Sequence, residues 1–198
     1  MDAEDLDEDA PSVTSAATAT SIDENSGAGQ VIYTATVDDS ADVSGGVTFT
    51  LGTDGDAGLL SIDGGTGEVT LTGNPDDEAK ADYSFTVIAT DAANNATSQA
   101  VTLDINDLDE VAPSVTSAAT ATSIDENSGA GQVIYTATAD DSADVSGGVT
   151  FTLGTDGDEG LLSIDKNGAV TLTGNPDDEA KADYSFTVIA TGGAGSGT

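Results

Sequence analysis

Carboxylates are the only chemically active groups that this sequence supplies in quantity, and they come in clusters. Asp38, Asp39 and Asp42 crowd one such cluster, Asp76, Asp77 and Glu78 follow Pro75 in another, and Asp104, Asp107, Asp109 and Glu110 punctuate a third. Two like charges 4 Å apart repel by about 4 kcal/mol at an effective dielectric near 20. A chain that converges several of them at strand ends and linkers therefore calls for a cation. Oxygen donors without His or Cys select a hard ion, and six to eight oxygens favour Ca²⁺ over Mg²⁺.

The rest of the composition excludes most other chemistry. Against 37 acidic residues stand Lys80, Lys166 and Lys181, with no Arg or His, for a formal charge of −34. Three lysines cannot neutralise a row of phosphates, so nucleic acid is excluded as a partner. Anionic membrane surfaces repel such a chain. Without His, Cys or Arg it builds no Ser-His-Asp triad, thiol nucleophile, zinc site or arginine clamp. No run approaches 18 apolar residues, so direct membrane insertion by a helix is not expected. The acidic opening Met1-Asp2-Ala3-Glu4-Asp5 is the reverse of a signal peptide.

The elements that must position the carboxylates are given by an internal repeat. Pro11 to Thr36 recurs unchanged as Pro113 to Thr138, and Asp38 to Asp56 as Asp140 to Asp158. After a one-residue deletion in a Gly-rich stretch, Val69 to Thr90 recurs as Val170 to Thr191. Asp2 to Pro11 likewise matches Asp104 to Pro113, as though the chain were an excerpt from a longer array. We therefore expect an acidic linker over 1–10, a first repeat over 11–106, a linker over 107–112 and a second repeat over 113–191, with a Gly-rich tail over 192–198.

Within each unit the apolar period is two. Val31, Tyr33, Ala35 and Val37 alternate with Ile32, Thr34 and Thr36, and Tyr83, Phe85, Val87 and Ala89 alternate with Ser84, Thr86, Ile88 and Thr90. Such stretches are half-buried strands. Seven are expected in the first unit, near 13–22, 29–37, 46–51, 58–62, 68–73, 82–90 and 97–106. With no helical segment, this is an all-β antiparallel sandwich. The second unit reads Gly192-Gly193-Ala194-Gly195-Ser196-Gly197-Thr198 where the first continues into its final strand. It is expected to lack that strand and to be the less stable of the two. Asp54-Gly55-Asp56 reads as a plain turn, and Asn95-Ala96-Thr97 as an idle sequon. Tyr33, Phe49, Tyr83 and Phe85 read as core.

Asp23-Glu24-Asn25, Val31, the Asp38/Asp39/Asp42 cluster and Gly46-Val47-Thr48-Phe49, in that order, resemble the first half of a cadherin repeat. Leu60-Ser61-Ile62-Asp63 with Thr66-Gly67-Glu68-Val69 resembles its central hairpin. Pro75-Asp76-Asp77-Glu78 stands where cadherins have Leu-Asp-Arg-Glu. Ala89-Thr90-Asp91 resembles their Ala-x-Asp, and Asp104-Ile105-Asn106-Asp107 their inter-repeat Asp-x-Asn-Asp. The near-identity of the units and their Ser/Thr/Ala-rich acidic composition are most similar to the tandem cadherin-like domains of giant bacterial surface adhesins. The implied fold is two tandem antiparallel Greek-key β-sandwiches, cadherin-like or Ig-like, the second without its last strand.

The resemblance implies inter-domain Ca²⁺ held by Glu24, Asp76 and Glu78 of the first repeat and by Asn106, Asp107 and Asp109 of the linker. Asp140, Asp141 and Asp144 of the second repeat complete the set; the spacing Asp-Asp-Ser-Ala-Asp leaves the register among the three open. The Ala-x-Asp position of the second repeat is Gly192, which weakens any ion relying on it, and Leu108 replaces the linker's usual Asn. Two half-sites follow by the same mapping. One is N-terminal (Asp5, Asp7, Asp38, Asp39, Asp42 and Asp91), and the other is C-terminal (Glu126, Asp177 and Glu179).

The implied role is that of calcium-stiffened extender repeats of an extracellular, bacterial cell-surface adhesin, partnered by neighbouring repeats of the same chain. A homophilic or glycan-binding adhesion module is the alternative, although aromatics at 4% offer no stacking platform. An accessory domain of a secreted enzyme is more remote. Paired carboxylates can hydrolyse glycosides, but Asp76 and Glu78 recur as Asp177 and Glu179, as a spacer would have and a single active site would not. Catalysis is not expected.

Overall fold

Thr, Val and Ile dominate the segments that become strands, and the turns between them are fixed by Gly and Asn at positive φ, such as Asn25 (55°) and Gly67 (73°). The computed structural model describes residues 7–41, 45–145, 147–193 and 196–197. The chain divides into two units, Met1–Asp107 and Leu108–Thr198.

The first module is a β-sandwich. Its strands are β1 (Ser12–Val13), β2 (Ile22–Asp23), β3 (Gln30–Thr34), β4 (Val37–Asp38), β5 (Thr48–Leu51), β6 (Leu60–Ile62), β7 (Glu68–Leu71), β8 (Asp82–Thr90) and β9 (Ala96–Asn106). One sheet runs β2-β9-β8-β5 and the other β3-β7-β6, with β1 and β4 forming a separate pair. Phe85, Leu71, Leu103, Val69, Val87 and Val101 fill the space between the sheets, each no more than 2% exposed. Tyr33 and Phe85 meet edge to face at 5.9 Å between centroids.

Several sequence expectations need correction. The strand expected at 13–22 is split into β1 and β2, and the stretch between them is tied to β9 by an isolated bridge from Thr18 to Thr102. β2 runs parallel to β9 (Ile22↔Ile105, Asp23↔Asn106), so the sandwich is not wholly antiparallel. A single-turn 3₁₀ helix, Ala57–Leu59, precedes β6 where no helix was expected, with a counterpart at Glu159–Leu161. The alternation Val31/Tyr33/Ala35 is also broken. A register shift between Val31 and Tyr33 turns Ile32 inward beside Tyr33 and leaves Val31 exposed, since a bulge inserts one residue and shifts the facing of those before it.

The second module contains β10 (Ser114–Val115), β11 (Gln132–Thr136), β12 (Ala139–Asp140), β13 (Thr150–Gly157), β14 (Leu162–Ile164), β15 (Ala169–Leu172), β16 (Phe186–Thr191) and β17 (Ser196–Gly197). Its β11-β15-β14 sheet repeats β3-β7-β6, bulge included. The other sheet is β13-β16-β17. β17 pairs Ala190↔Gly197 and Thr191↔Ser196, which is the register of Ala89↔Thr97 and Thr90↔Ala96 at the start of the β8–β9 ladder. The last strand, expected to be missing, is represented by the two residues of β17 at the position where β9 begins in the first module.

The sequence-identical pair β8 and β16 shows what β9 does. β8 spans nine residues from Asp82, but β16 begins only at Phe186, because Asp183-Tyr184-Ser185 have no partner ladder. Tyr83 and Phe85 are buried, whereas Tyr184 and Phe186 are only half-buried. Ile124-Asp125, unlike Ile22-Asp23, form no strand. β9 also brings Gln99, whose amide donates to the Ser15 carbonyl at 2.9 Å and pins the first strand segment.

Candidate metal centre

Glu24 lies just beyond β2, where its backbone N–H donates to the Asn106 carbonyl at the end of β9 (3.1 Å). Its carboxylate is drawn inside the module, with only 1% of the residue exposed, and Oε2 accepts the Asp77 N–H at 2.8 Å. Asn25, in the left-handed region, donates its N–H to the Pro75 carbonyl (2.9 Å). The Asn74 side chain closes the same seam, donating to Asn25 Oδ1 (3.0 Å) and accepting the Gly27 N–H (2.7 Å). The Pro75–Lys80 loop is thereby clamped to the Glu24 turn. Asp76 caps that loop itself, accepting the Ala79 N–H at 2.9 Å.

The result is convergence. Glu24, Asp76 and Glu78 each place a carboxylate oxygen within 4.8 Å of the others. At that separation two unit charges repel by about 3.5 kcal/mol for an effective dielectric of 20. Burial of Glu24 adds a desolvation cost that favours a compensating cation. The donors are all oxygen, which suits Ca²⁺ or Mg²⁺ and no softer ion. Glu126, Asp177 and Glu179 repeat the arrangement in the second module, within the same 4.8 Å. There the Asp178 N–H is 3.5 Å from Glu126 Oε2, and all three carboxylates are exposed. In the first module the Asn106 carbonyl at the end of β9 also holds the Glu24 backbone N–H.

The other expected ligands sit as follows. Asp38 ends β4 and accepts a hydrogen bond from the Ser40 N–H (3.1 Å). The Ser40 hydroxyl and N–H together hold its carboxyl below the usual range. Asp140 stands in the same relation to Ser142. Asp39 and Asp141 are neighbours of these turns. Asp91 is buried, and its two oxygens accept the backbone N–H and side-chain amide of Asn95 (2.8 and 3.0 Å). The Asn95 amide also donates to the Asp7 carbonyl (3.2 Å). Asn106 closes β9 and donates to Asp23 Oδ1 (2.9 Å); Asp107 follows it. Asp5 and Asp42 lie outside the described residues.

In the second module Asp144 accepts the Glu110 N–H (2.8 Å), and Asp109 Oδ2 accepts the Gly193 N–H (2.9 Å). Asp109 Oδ1 is buried and receives no hydrogen bond among the described residues, which is the environment a cation relieves. At Gly192, where the first module has Asp91, an added Cβ would lie 2.9 and 3.1 Å from the Asp141 oxygens. The Asp141 carboxylate therefore fills the space that an aspartate at 192 would need.

Asn95 was not foreseen as a site residue; read as a sequon, it is instead the clasp of Asp91. Asp54-Gly55-Asp56 is a turn, as expected, but it carries more than a turn, whereas in its counterpart Asp156 and Gly157 belong to β13. Asp54 Oδ2 accepts the Thr86 hydroxyl (2.7 Å), and Asp56 accepts the Ser84 N–H (2.8 Å) and pairs with Lys80 (3.0 Å). Lys80 also lies 5.3 Å from the Tyr83 ring centroid, and Lys181 repeats both contacts with Asp158 and Tyr184. Two of the three cations thus serve one structural role.

At Asp56, burial pushes the carboxyl up, but the Ser84 N–H and Lys80 outweigh it, and the net shift is downward. At Asp158 the Lys181 hydrogen bond leads the lowering. A depressed carboxylate stabilises the fold above its unfolded value of about 3.9 and loses that contribution as pH falls through the folded value. Asp56→Asn is therefore expected to lower the melting temperature modestly at pH 7, as for a screened pair. The difference from wild type should shrink in a calorimetric pH series as pH falls below the unfolded carboxylate value of about 3.9 and the Asp56 carboxyl takes up its proton. A difference that grew on acidification would refute this role.

Residues 18–106 match the family model described as the cadherin domain. The first module thus matches the cadherin domain over its length, and the second repeats much of the same sequence. Human protocadherin Fat 4 is 26% identical over 152 residues, 76% of this chain and 3% of that protein, so the chain spans a small part of this curated relative. Human protocadherin-24 EC1-2 superposes with a TM-score of 0.70 at 22% identity, covering 91% of this chain and 85% of that one. The human desmocollin-1 ectodomain gives 0.76 at 18% identity, covering 96% and 39%. Mouse cadherin-23 EC22-24 gives 0.64 at 25% identity, covering 98% and 63%. Cadherin domains are an extracellular, adhesion-type repeat family, and the two modules of this chain share their all-β sandwich.

Proposed function

We propose that these cadherin-like modules are calcium-dependent spacer repeats of a cell-surface adhesin, and that Ca²⁺ bound where one repeat follows another stiffens the array. The observation that carries this reading is the buried Glu24 carboxylate with Asp76 and Glu78 within 4.8 Å, repeated at Glu126, Asp177 and Glu179. An ion drawing further oxygens from Asn106, Asp107 and Asp109, and from Asp140, Asp141 and Asp144, would exchange repulsion for attraction at the linker. The near-identity of the two repeats and their acidic, lysine-poor composition support a bacterial surface array, in which function is reach rather than recognition by each module.

Small-angle scattering tests the stiffening. The maximum dimension in millimolar Ca²⁺ should exceed and be better defined than that in EDTA, and Asp107→Ala should abolish the difference. Identical profiles in the two conditions would remove the stiffening role.

A further inference from the structure

Three lysines face 37 acidic residues in this chain, and two of the three stand at one structural position. Lys80 and Lys181 each close a loop that carries two of the clustered carboxylates, Asp76 and Glu78 in the first module and Asp177 and Glu179 in the second. The first loop is gripped at both ends. At its start the Pro75 carbonyl accepts the Asn25 N–H (2.9 Å), and the Asp77 N–H donates to Glu24 Oε2 (2.8 Å). At its end the Lys80 N–H donates to the Asp76 carbonyl (2.9 Å), closing a turn over Asp77, Glu78 and Ala79. The Lys80 ammonium then reaches Asp56 Oδ1 at 3.0 Å and lies 5.3 Å from the Tyr83 ring centroid. Asp56 is itself fixed to β8, because its N–H donates to the Ser84 carbonyl (2.7 Å) and its Oδ2 accepts the Ser84 N–H (2.8 Å).

The second module repeats this latch. Lys181 pairs with Asp158 at 2.8 Å, and Asp158 makes the same two hydrogen bonds with Ser185 (2.7 and 2.9 Å). There the glutamate's grip is slack, with the Asp178 N–H 3.5 Å from Glu126 Oε2, yet Glu126, Asp177 and Glu179 still converge within 4.8 Å. The lysine latch is thus kept tight where the glutamate contact is not.

We propose that Lys80, acting through Asp56, is a positioning residue for the calcium centre, and that Lys181 with Asp158 has the same part in the second module. The inference rests on the calcium reading of the cluster. The latch ties the far end of the loop to β8, so that Asp76 and Glu78 already face Glu24 when an ion arrives. A site assembled beforehand does not have to order its ligands on binding, and that saving appears as affinity. A half-exposed ion pair adds little to global stability, so its effect is local to the loop it closes. Charge alone makes a different prediction. A cation near a calcium site weakens binding and an anion strengthens it, so removing Lys80 and removing Asp56 would then act in opposite directions. Positioning makes them act in the same direction.

The test titrates Ca²⁺ into the full chain and follows the amide resonances of Asp77, Glu78 and Ala79, with those of Asp178, Glu179 and Ala180 as reference within the same molecule. Lys80→Met and Asp56→Asn should each weaken binding at the first loop by about tenfold, the lower end for groups that orient metal ligands. The double variant should bind no more weakly than either single one, since both break one contact. Lys80→Arg, which keeps the ion pair, should retain most of the wild-type affinity. Melting in EDTA should show only a modest loss for each variant, which separates ligand placement from loss of fold. Tighter binding by Lys80→Met alongside weaker binding by Asp56→Asn, or wild-type affinity in both, would overturn the positioning role and leave the calcium centre standing. A wild-type loop whose resonances do not respond to Ca²⁺ would overturn the calcium reading and this role together.

Discussion

Glu24→Gln should reverse its effect on stability when calcium is added. In EDTA the variant is expected to be more stable than wild type, because glutamine removes one buried charge from the Glu24, Asp76 and Glu78 group. It keeps a carbonyl oxygen to accept the Asp77 N–H, so the turn remains clamped. In Ca²⁺ the order inverts. An ion at tenfold excess over its dissociation constant stabilises by about 1.4 kcal/mol, and at hundredfold excess by about 2.7 kcal/mol. For a module of this size the smaller figure corresponds to a rise of roughly 6 to 11 °C. Wild type should show that rise and Glu24→Gln little of it. Thermal melts of both proteins in both conditions measure the crossover. Parallel curves, with the variant shifted equally in EDTA and Ca²⁺, would assign Glu24 a purely structural role.

The two modules should melt apart, the second first. Val101, Leu103 and Ile105 contribute three well-buried aliphatic side chains to the first core, each worth about 1.5 to 3 kcal/mol. The second module has two-residue β17 in that place and leaves Tyr184 and Phe186 half-buried. Set against the entropy of ordering a strand, the difference should be on the order of 3 kcal/mol. The repeat supplies its own control. Residues 69–90 and 170–191 have one sequence, so any difference in their hydrogen exchange reports the strand beside them and not local propensity. Faster exchange over 184–188 than over 83–87, with two calorimetric transitions, is the expected result. One cooperative transition with equal protection would contradict it.

The same comparison shows what could be read from residues alone. Period-two alternation located β8 and β9 almost to the residue, because both strands are long and have one buried face. The cluster of Glu24, Asp76 and Glu78 was legible through motif order, although Glu24 is far from the other two in sequence. The bulge at Ile32 was not legible, since Val31-Ile32-Tyr33 is apolar on either reading and only pairing with β7 decides which face turns inward. The parallel pairing of β2 was equally hidden, because two residues carry no periodicity. Asn95 was missed because its value lies in a distance, its amide reaching both Asp91 and the Asp7 carbonyl. The truncation of β16 at Phe186 is a tertiary effect that no local rule contains.

Calorimetric titration of Ca²⁺ into the full chain, repeated on Glu24→Gln, tests the central claim most directly. The account predicts saturable binding with a dissociation constant of about 0.1 to 1 mM, the range of extracellular calcium modules, and loss of at least one bound ion in the variant. Wild type that takes up no calcium across that range, or a variant that binds as many ions as wild type, would contradict it.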